Sequence, residues 1–248
     1  MTTHITEPAS SDPARRLIFV RHGEASFGAQ DYDQLTATGK EQSQLLGEYL
    51  ADRGMVFDRV YVGPKRRHRQ THDAVAAVYE KSGLPWPAPV ETAGLDEHRG
   101  QSVLRQALPQ LREQDEEIRA AADSILNPTL ESQHEYAKIF QKVTRLWARG
   151  ELESFGYETW PEFRHRVERA IDQMISSAAP DQTVIAFTSA GAVSAAVGFA
   201  LGLDHEQTIE TSWQILNASF TEISLTGSAA TLDSFNAVPH LEASFRQQ

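Results

Sequence analysis

The stretch Leu17–Gln42 reads LIFVRHGEASFGAQDYDQLTATGKEQ, and the order of its residue types sets the architecture. Four apolar residues, Leu17–Val20, follow Arg15 and Arg16, the pattern of a buried strand. They run into Arg21-His22-Gly23-Glu24, and a helix is expected from Gly39 to Arg53. Leu45, Leu46, Tyr49 and Leu50 give that helix an apolar stripe, and Gly54 stands where its stop belongs. A buried strand, a charged loop and an amphipathic helix in succession make the repeating unit of α/β folds.

The unit recurs along the chain. Val60–Val62 reads as a strand, followed by a helix over Arg69–Lys81 that Gly83 and Pro85 end. Trp160–Ser177 reads as an amphipathic helix, with Phe163, Val167, Ile171, Met174 and Ile175 at helical spacing. Thr159 and Glu162 form a capping-box pattern at its start, with Pro161 in the first turn. Val184–Thr188 reads as a strand and Ala192–Leu201 as the helix after it. Leu104–Ala122 and Glu135–Arg149 read as polar-faced helices, Pro85–Gly100 as turns, and Phe220–Leu225 with Thr231–Phe235 as a hairpin about Gly227. The expected fold is α/β: a three-layer sandwich with a mostly parallel central sheet flanked by helices, a helical insertion at about 101–160 and a C-terminal hairpin. One domain is expected over 16–248, preceded by a loose polar tail over 1–15.

Composition narrows the functional classes. The chain has 248 residues, with 23 Lys plus Arg against 34 Asp plus Glu, a formal charge of −11. That balance disfavours a nucleic-acid or anionic-membrane partner, which would need a basic face. With no cysteine, a disulfide framework, a thiolate nucleophile and a Cys-ligated metal are excluded, and a reducing, cytoplasmic compartment fits. Residues 1–14 contain no apolar run of the signal-peptide kind. Val184–Leu203 is twenty residues without a charge, long enough to span a bilayer. Its Thr188, Ser189, Ser194 and three glycines favour a buried strand, a turn and a buried helix instead.

In open α/β sheets ligands sit at the carboxyl ends of strands, which selects the loops after Val20, Val62 and Thr188. In the first, Arg21 offers a fork of donors suited to phosphate oxygens, His22 can attack phosphorus, and Gly23 permits close backbone approach. In the second, Lys65, Arg66, Arg67 and Arg69 crowd a helix start, where cations sit poorly with the dipole unless an anion relieves them. Leu95-Asp96-Glu97-His98-Arg99-Gly100 reads equally as a source of a proton donor or as an ordinary charged turn. No two histidines stand four apart around a glutamate in the metal-ligand manner, and no cofactor is implied.

These motifs together resemble the histidine phosphatase superfamily, in its phosphoglycerate-mutase-like branch. Leu17–Gln42 is similar to the family's opening, including Leu35-Thr36, Gly39 and Gln42. Gly63-Pro64-x-x-Arg67-x-x-Gln70-Thr71 is similar to its second-arginine motif. Leu95-x-Glu97 with Gly100 resembles its acid-bearing loop, and Asn217-Ala218-Ser219 with Phe235-Asn236 and His240-Leu241 its C-terminal part. The resemblance implies a small phosphorylated substrate and metal-independent hydrolysis. His22 would become phosphohistidine, Arg21 and Arg67 would grip the phosphoryl oxygens, and Glu97 would serve as acid and then base. Gly23, Ser26, Phe27, Ser189, Ala190 and Gly191 would complete the binding site. The insertion would cover the pocket, where Trp147, Phe155, Tyr157 and Trp160 are candidates for lining or for core.

Two positions depart from the pattern. The family's second histidine aligns with Ala190, in Ser189-Ala190-Gly191-Ala192. Losing such a donor costs on the order of 10²–10³ in rate. The Ser189 hydroxyl with the N–H groups of Ala190 and Gly191 could replace it; His68, His98 and His240 are less favoured substitutes. Gly28 stands where many mutase-like members carry asparagine, which favours a phosphatase over a phosphoglycerate mutase. A phosphate-binding regulatory protein with little turnover is the competing class, and a phosphotransferase the third. Sugar phosphates, nucleotides and phosphopeptides remain equal alternatives as substrate, and no oligomeric state is specified.

Overall fold

The computed structural model describes residues 14–26, 33–126, 129, 131–152 and 156–242. Among the described residues six strands form one sheet: β1 (Arg15–Arg21), β2 (Arg59–Val62), β3 (Pro89–Glu91), β4 (Thr183–Thr188), β5 (Phe220–Thr226) and β6 (Ala229–Ala237). Their order is β3-β2-β4-β1-β5-β6. The first four are parallel, β5 runs antiparallel to β1, and β6 antiparallel to β5. The sheet is therefore mostly parallel with a hairpin at one edge, as expected.

Period-two alternation sends successive residues to opposite faces. Leu17, Phe19, Tyr61, Val184 and Ala186 join one core. It is completed by α7 (Trp160–Ser177) and α8 (Ala190–Leu201), through Phe163, Val167, Ile171 and Val193. Ile18, Val20, Val60, Val62, Ile185 and Phe187 join the other. There α1 (Ala37–Asp52) and α2 (Arg66–Lys81) contribute Leu46, Leu50, Val75 and Tyr79. A third cluster belongs to the insertion, where Leu104, Leu108, Ile118, Ile139 and Val143 draw together four helices. These are α3 (Gly100–Gln114), α4 (Glu116–Ala120), α5 (Ala122–Leu126) and α6 (Gln133–Ala148).

Several elements differ from the expected ones. The single helix expected over Leu104–Ala122 is broken at Asp115, whose side chain accepts from the Glu117 and Ile118 N–H groups, both at 3.1 Å, and caps α4. α2 starts at Arg66, three residues early. The turn-rich stretch before the insertion holds the edge strand β3 and a 3-10 turn over Ala93–Leu95. α9 (His205–Ser212), unassigned from sequence, is opened by a capping box between Asp204 and Gln207. The uncharged stretch after Thr183 is β4 followed by α8 with Ser189 alone between them. Among the described residues no helix is long and apolar enough to cross a membrane. The tail lies outside the described residues up to residue 13, and β1 already begins at Arg15.

Candidate active site

Sheet register brings the chemistry together. Arg21 pairs with Thr188, and Val62 with Phe187, so β1, β2 and β4 end level. The His22 N–H donates to the Thr188 carbonyl and the Gly63 N–H to the Phe187 carbonyl, both at 2.9 Å. The next residues of three separate loops thus emerge side by side. A fourth loop joins them, because the Thr188 hydroxyl donates to the Leu95 carbonyl at 2.7 Å, just before Glu97. At this edge a cavity of about 630 Å³ opens, lined by Arg21, His22, Arg67, Glu97, Ala190 and Gly191 among others.

His22 is 4% exposed. Its ring nitrogen Nδ1 lies 2.7 Å from the Gly23 carbonyl, which can only accept, so Nδ1 carries the hydrogen and Nε2 keeps the lone pair. Burial, then the guanidinium groups of Arg67 and Arg21, and then His68, hold its pKa well below the usual histidine value. The ring is held neutral at physiological pH. Its main chain is pinned from behind: the Ala218 N–H donates to the His22 carbonyl at 3.1 Å and the Asn217 side chain at 3.2 Å. Ala218 holds a left-handed φ of 54° to do so, local strain of the kind found at functional sites.

Arg67 is anchored at both ends of its fork. One Nη donates to Asp33 at 2.9 Å and the other to the Ser189 hydroxyl at 3.2 Å. Asp33 also accepts from the Arg66 and Arg67 N–H groups, at 2.9 and 3.4 Å. It is the anion that the cation-rich helix start calls for, and sequence spacing had not picked it out. Arg21 donates to the Ile215 carbonyl.

Glu97 faces the cavity from the other side. Its carboxylate accepts from the His98 N–H at 2.9 Å and the Gly191 N–H at 3.3 Å. Burial pushes its pKa up, but His98, the two N–H donors and Arg67 outweigh this and hold it below the ordinary value. The His98 ring accepts from the Gly100 N–H at Nδ1, so its Nε2 carries the hydrogen, 3.6 Å from Glu97. That ring sits among Phe140, Trp147, Trp160 and Phe163.

The remaining expected residues divide. Ala190 and Gly191 line the cavity at the start of α8. Ser189 is buried beneath them, against Arg67 and His68. Gly23 serves backbone packing: a Cβ there would lie 2.2 Å from the Gly39 carbonyl, and its N–H donates to Thr71 at 3.0 Å. Ser26 is tied to the Gln34 carbonyl. Phe27, Gly28 and Phe155 lie outside the described residues. Trp147 and Trp160 are core, and Tyr157 accepts from Gln106. His240 stacks between Tyr49 and Phe220, away from the cavity. The insertion contributes Gln101, Ser102, Gln133, Tyr136 and Phe140 to the wall, and α9 is followed there by Trp213. Among the described residues no group of three or more His, Asp or Glu is placed to hold a metal ion.

Level parallel strand ends thus carry a neutral histidine near two arginines, with a carboxylate across the cavity, on an α/β fold. The chain belongs to the histidine phosphatase superfamily (branch 1), whose family model matches residues 17–238. It is 33% identical over 95 residues to the mitochondrial serine/threonine-protein phosphatase Pgam5 of Drosophila ananassae, covering 33% of each chain. It is 33% identical over 76 residues to a broad-specificity phosphatase of Saccharomyces cerevisiae, covering 28% of this chain and 33% of that one. These matches span about a third of the length of the curated relatives. Among solved structures, a phosphoglycerate mutase from Bacillus anthracis aligns with a TM-score of 0.60 at 18% identity, covering 92% of this chain and 96% of that one. A mycobacterial glucosyl-3-phosphoglycerate phosphatase aligns with a TM-score of 0.62 at 20% identity, covering 92% and 100%. At these identities the likeness is one of fold.

Proposed function

We propose that the protein hydrolyses small phosphate monoesters through a phosphohistidine at His22. The observation that carries this reading is the state of His22: a ring with Nδ1 tied to Gly23, Nε2 bare, and a pKa held down first by burial and then by Arg67 and Arg21. Those two guanidinium groups would neutralise the phosphoryl oxygens. His22 Nε2 forms the N–P bond as the ester P–O bond breaks, and the leaving oxygen takes a proton from Glu97. Glu97, now a carboxylate, accepts a proton from water as the water oxygen bonds to phosphorus and the N–P bond breaks. The alcohol leaves first; Glu97 then passes its proton to the inorganic phosphate, which departs as the monoanion, and His22 and Glu97 return to their starting states.

The low pKa of Glu97 means that its proton arrives with the ester monoanion, so turnover is expected to fall as pH rises past the ester's second ionisation near 6. Membership of a superfamily with phosphatase relatives supports hydrolysis. No step above needs a metal. The test is phosphate release from a panel of small phosphomonoesters in chelator, between about pH 5.5 and 7.5. Release by wild type that vanishes in His22→Ala supports the enzyme. Phosphate binding without release favours the regulatory binder, and transfer between positions of one substrate favours a mutase.

A further inference from the structure

Ala190 stands where the family pattern has an imidazole, and a second buried imidazole reaches the residue before it, Ser189. His68 is fully buried, and its ring centroid lies 5.8 Å from that of His22. Its Nε2 is 2.6 Å from the Ser189 hydroxyl, which also receives Arg67 at 3.2 Å. Ser189 is the N-cap residue of α8, yet its side chain makes no capping bond; the hydroxyl is committed to Arg67 and His68 instead. Gly63 makes room for the ring, since a Cβ there would lie 2.3 Å from His68 Nδ1 and 2.7 Å from the Leu95 carbonyl.

Counting hydrogen bonds gives this arrangement a function. A hydroxyl has one hydrogen and two acceptor lone pairs, and a guanidinium can only donate. Arg67 therefore occupies one lone pair of Ser189. With hydrogen on His68 Nε2, the ring occupies the other. The Ser189 O–H must then turn away from both, which leaves it free to donate on the side of the cavity that Arg67 lines. With Nε2 bare, the O–H turns back to the ring and a ligand receives nothing.

We propose that His68 is a positioning residue of the phosphoryl site, which, acting through Ser189, aims the Ser189 hydroxyl at the transferring phosphoryl group and so supplies the donor missing at Ala190. The proposal rests on the hydrolase reading above. The groups facing His68 are Arg67 and Lys65 at the start of its own helix, the Gly63 main chain on the Nδ1 side, His22 from the β1 loop and Ser189 from the β4–α8 junction. Negative charge entering beside Arg67 offsets these cations and favours the imidazolium, which carries hydrogen on both ring nitrogens and so on Nε2.

The test compares phosphate release from p-nitrophenyl phosphate, in chelator, by five chains: wild type, His68→Leu, His68→Gln, Ser189→Ala and the double variant His68→Leu/Ala190→His. Loss of the donor is expected to lower kcat by about 10²-fold in His68→Leu and Ser189→Ala, with KM within a few-fold of wild type. His68→Gln, whose amide can still donate to Ser189, keeps kcat within about tenfold of wild type. Ala190→His restores at least tenfold to His68→Leu by putting an imidazole at the cavity wall. A purely structural His68 would give no such rescue and no difference between Leu and Gln. Wild-type kcat in His68→Leu overturns the proposal, as does failure of Ala190→His to recover any rate. Should His68→Leu not fold, wild-type kcat in Ser189→Ala overturns it. Absence of phosphate release from wild type would instead refute the hydrolase reading on which it rests.

Discussion

Replacing Gly191 by alanine tests the placement of Glu97 with a single methyl group. A Cβ at this position would lie 2.2 Å from Glu97 Oε1 and 2.5 Å from His98 Cδ2. A carbon–oxygen contact needs about 3.3 Å, so one partner must retreat by about 1 Å. The His98 ring is boxed in by Phe140, Trp147, Trp160 and Phe163 and has little room to give. The start of α8 must therefore draw back from the ring, and the carboxylate, the freer of the two partners, is displaced from its bond to the Gly191 N–H. A misplacement of this size costs about 10²-fold in rate, or roughly 2.7 kcal/mol of barrier. The assay is steady-state phosphate release from two esters, glycerol phosphate and p-nitrophenyl phosphate. An alkoxide needs the proton that Glu97 gives, whereas p-nitrophenolate leaves almost without help. The loss should appear in kcat, be large for glycerol phosphate and be small for p-nitrophenyl phosphate. Wild-type kcat on glycerol phosphate, or an equal loss on both esters, would refute the role assigned to Glu97.

Further outcomes follow from the same geometry. Arg67→Lys removes the fork that joins Asp33 and Ser189, so KM for a phosphate ester should rise at least about tenfold, with inorganic phosphate inhibiting correspondingly more weakly. His22, His68 and His72 all have lowered pKa values, with burial as the leading cause. As pH falls through the usual histidine value near 6.5, the unfolded chain takes up protons that the native state refuses. Stability should therefore drop by about 1.4 kcal/mol per pH unit for each of His22 and His68, with a smaller addition from His72, visible as a falling urea midpoint below about pH 6.5. A flat midpoint over that range would contradict the buried, neutral assignment. Thr159→Ala breaks the capping box of α7, whose Thr159 hydroxyl accepts from the Glu162 N–H, and should cost about 1 kcal/mol in urea unfolding without changing kcat.

Much of this molecule was legible in its residues because strong local patterns agreed with tertiary burial. β1, α7 and β4 carry unbroken apolar runs or helical stripes that face the core, and their limits come within a residue or two of the pattern. Elements decided by a single side chain were not legible. Asp115 ends α3 and caps α4 in the middle of a helical pattern, and β3 is three residues on a sheet edge in a proline-rich stretch. The site divides in the same way. His22, Arg67 and the residues after Thr188 follow from the rule that ligands gather at strand ends, because register makes those ends coincide. Glu97 was a carboxylate in a charged turn until the Thr188 bond to Leu95 placed its loop beside the others. Gln101 and Gln133 lie on the polar faces of α3 and α6, and a cavity wall and a solvent face have the same signature there. Asp33 and His68 gain meaning only through partners more than thirty residues away.

The central claim is a covalent one, and the most direct measurement looks for the covalent species. Wild type and His22→Ala would be mixed with a phosphomonoester in chelator, quenched in alkali within the first turnover, and digested for mass spectrometry. The account predicts a phosphoryl adduct that is stable in base, lost in acid, carried by the peptide containing Arg21-His22-Gly23, and absent from the variant. Phosphate release by wild type with no such adduct, or an adduct that persists in His22→Ala, would contradict it.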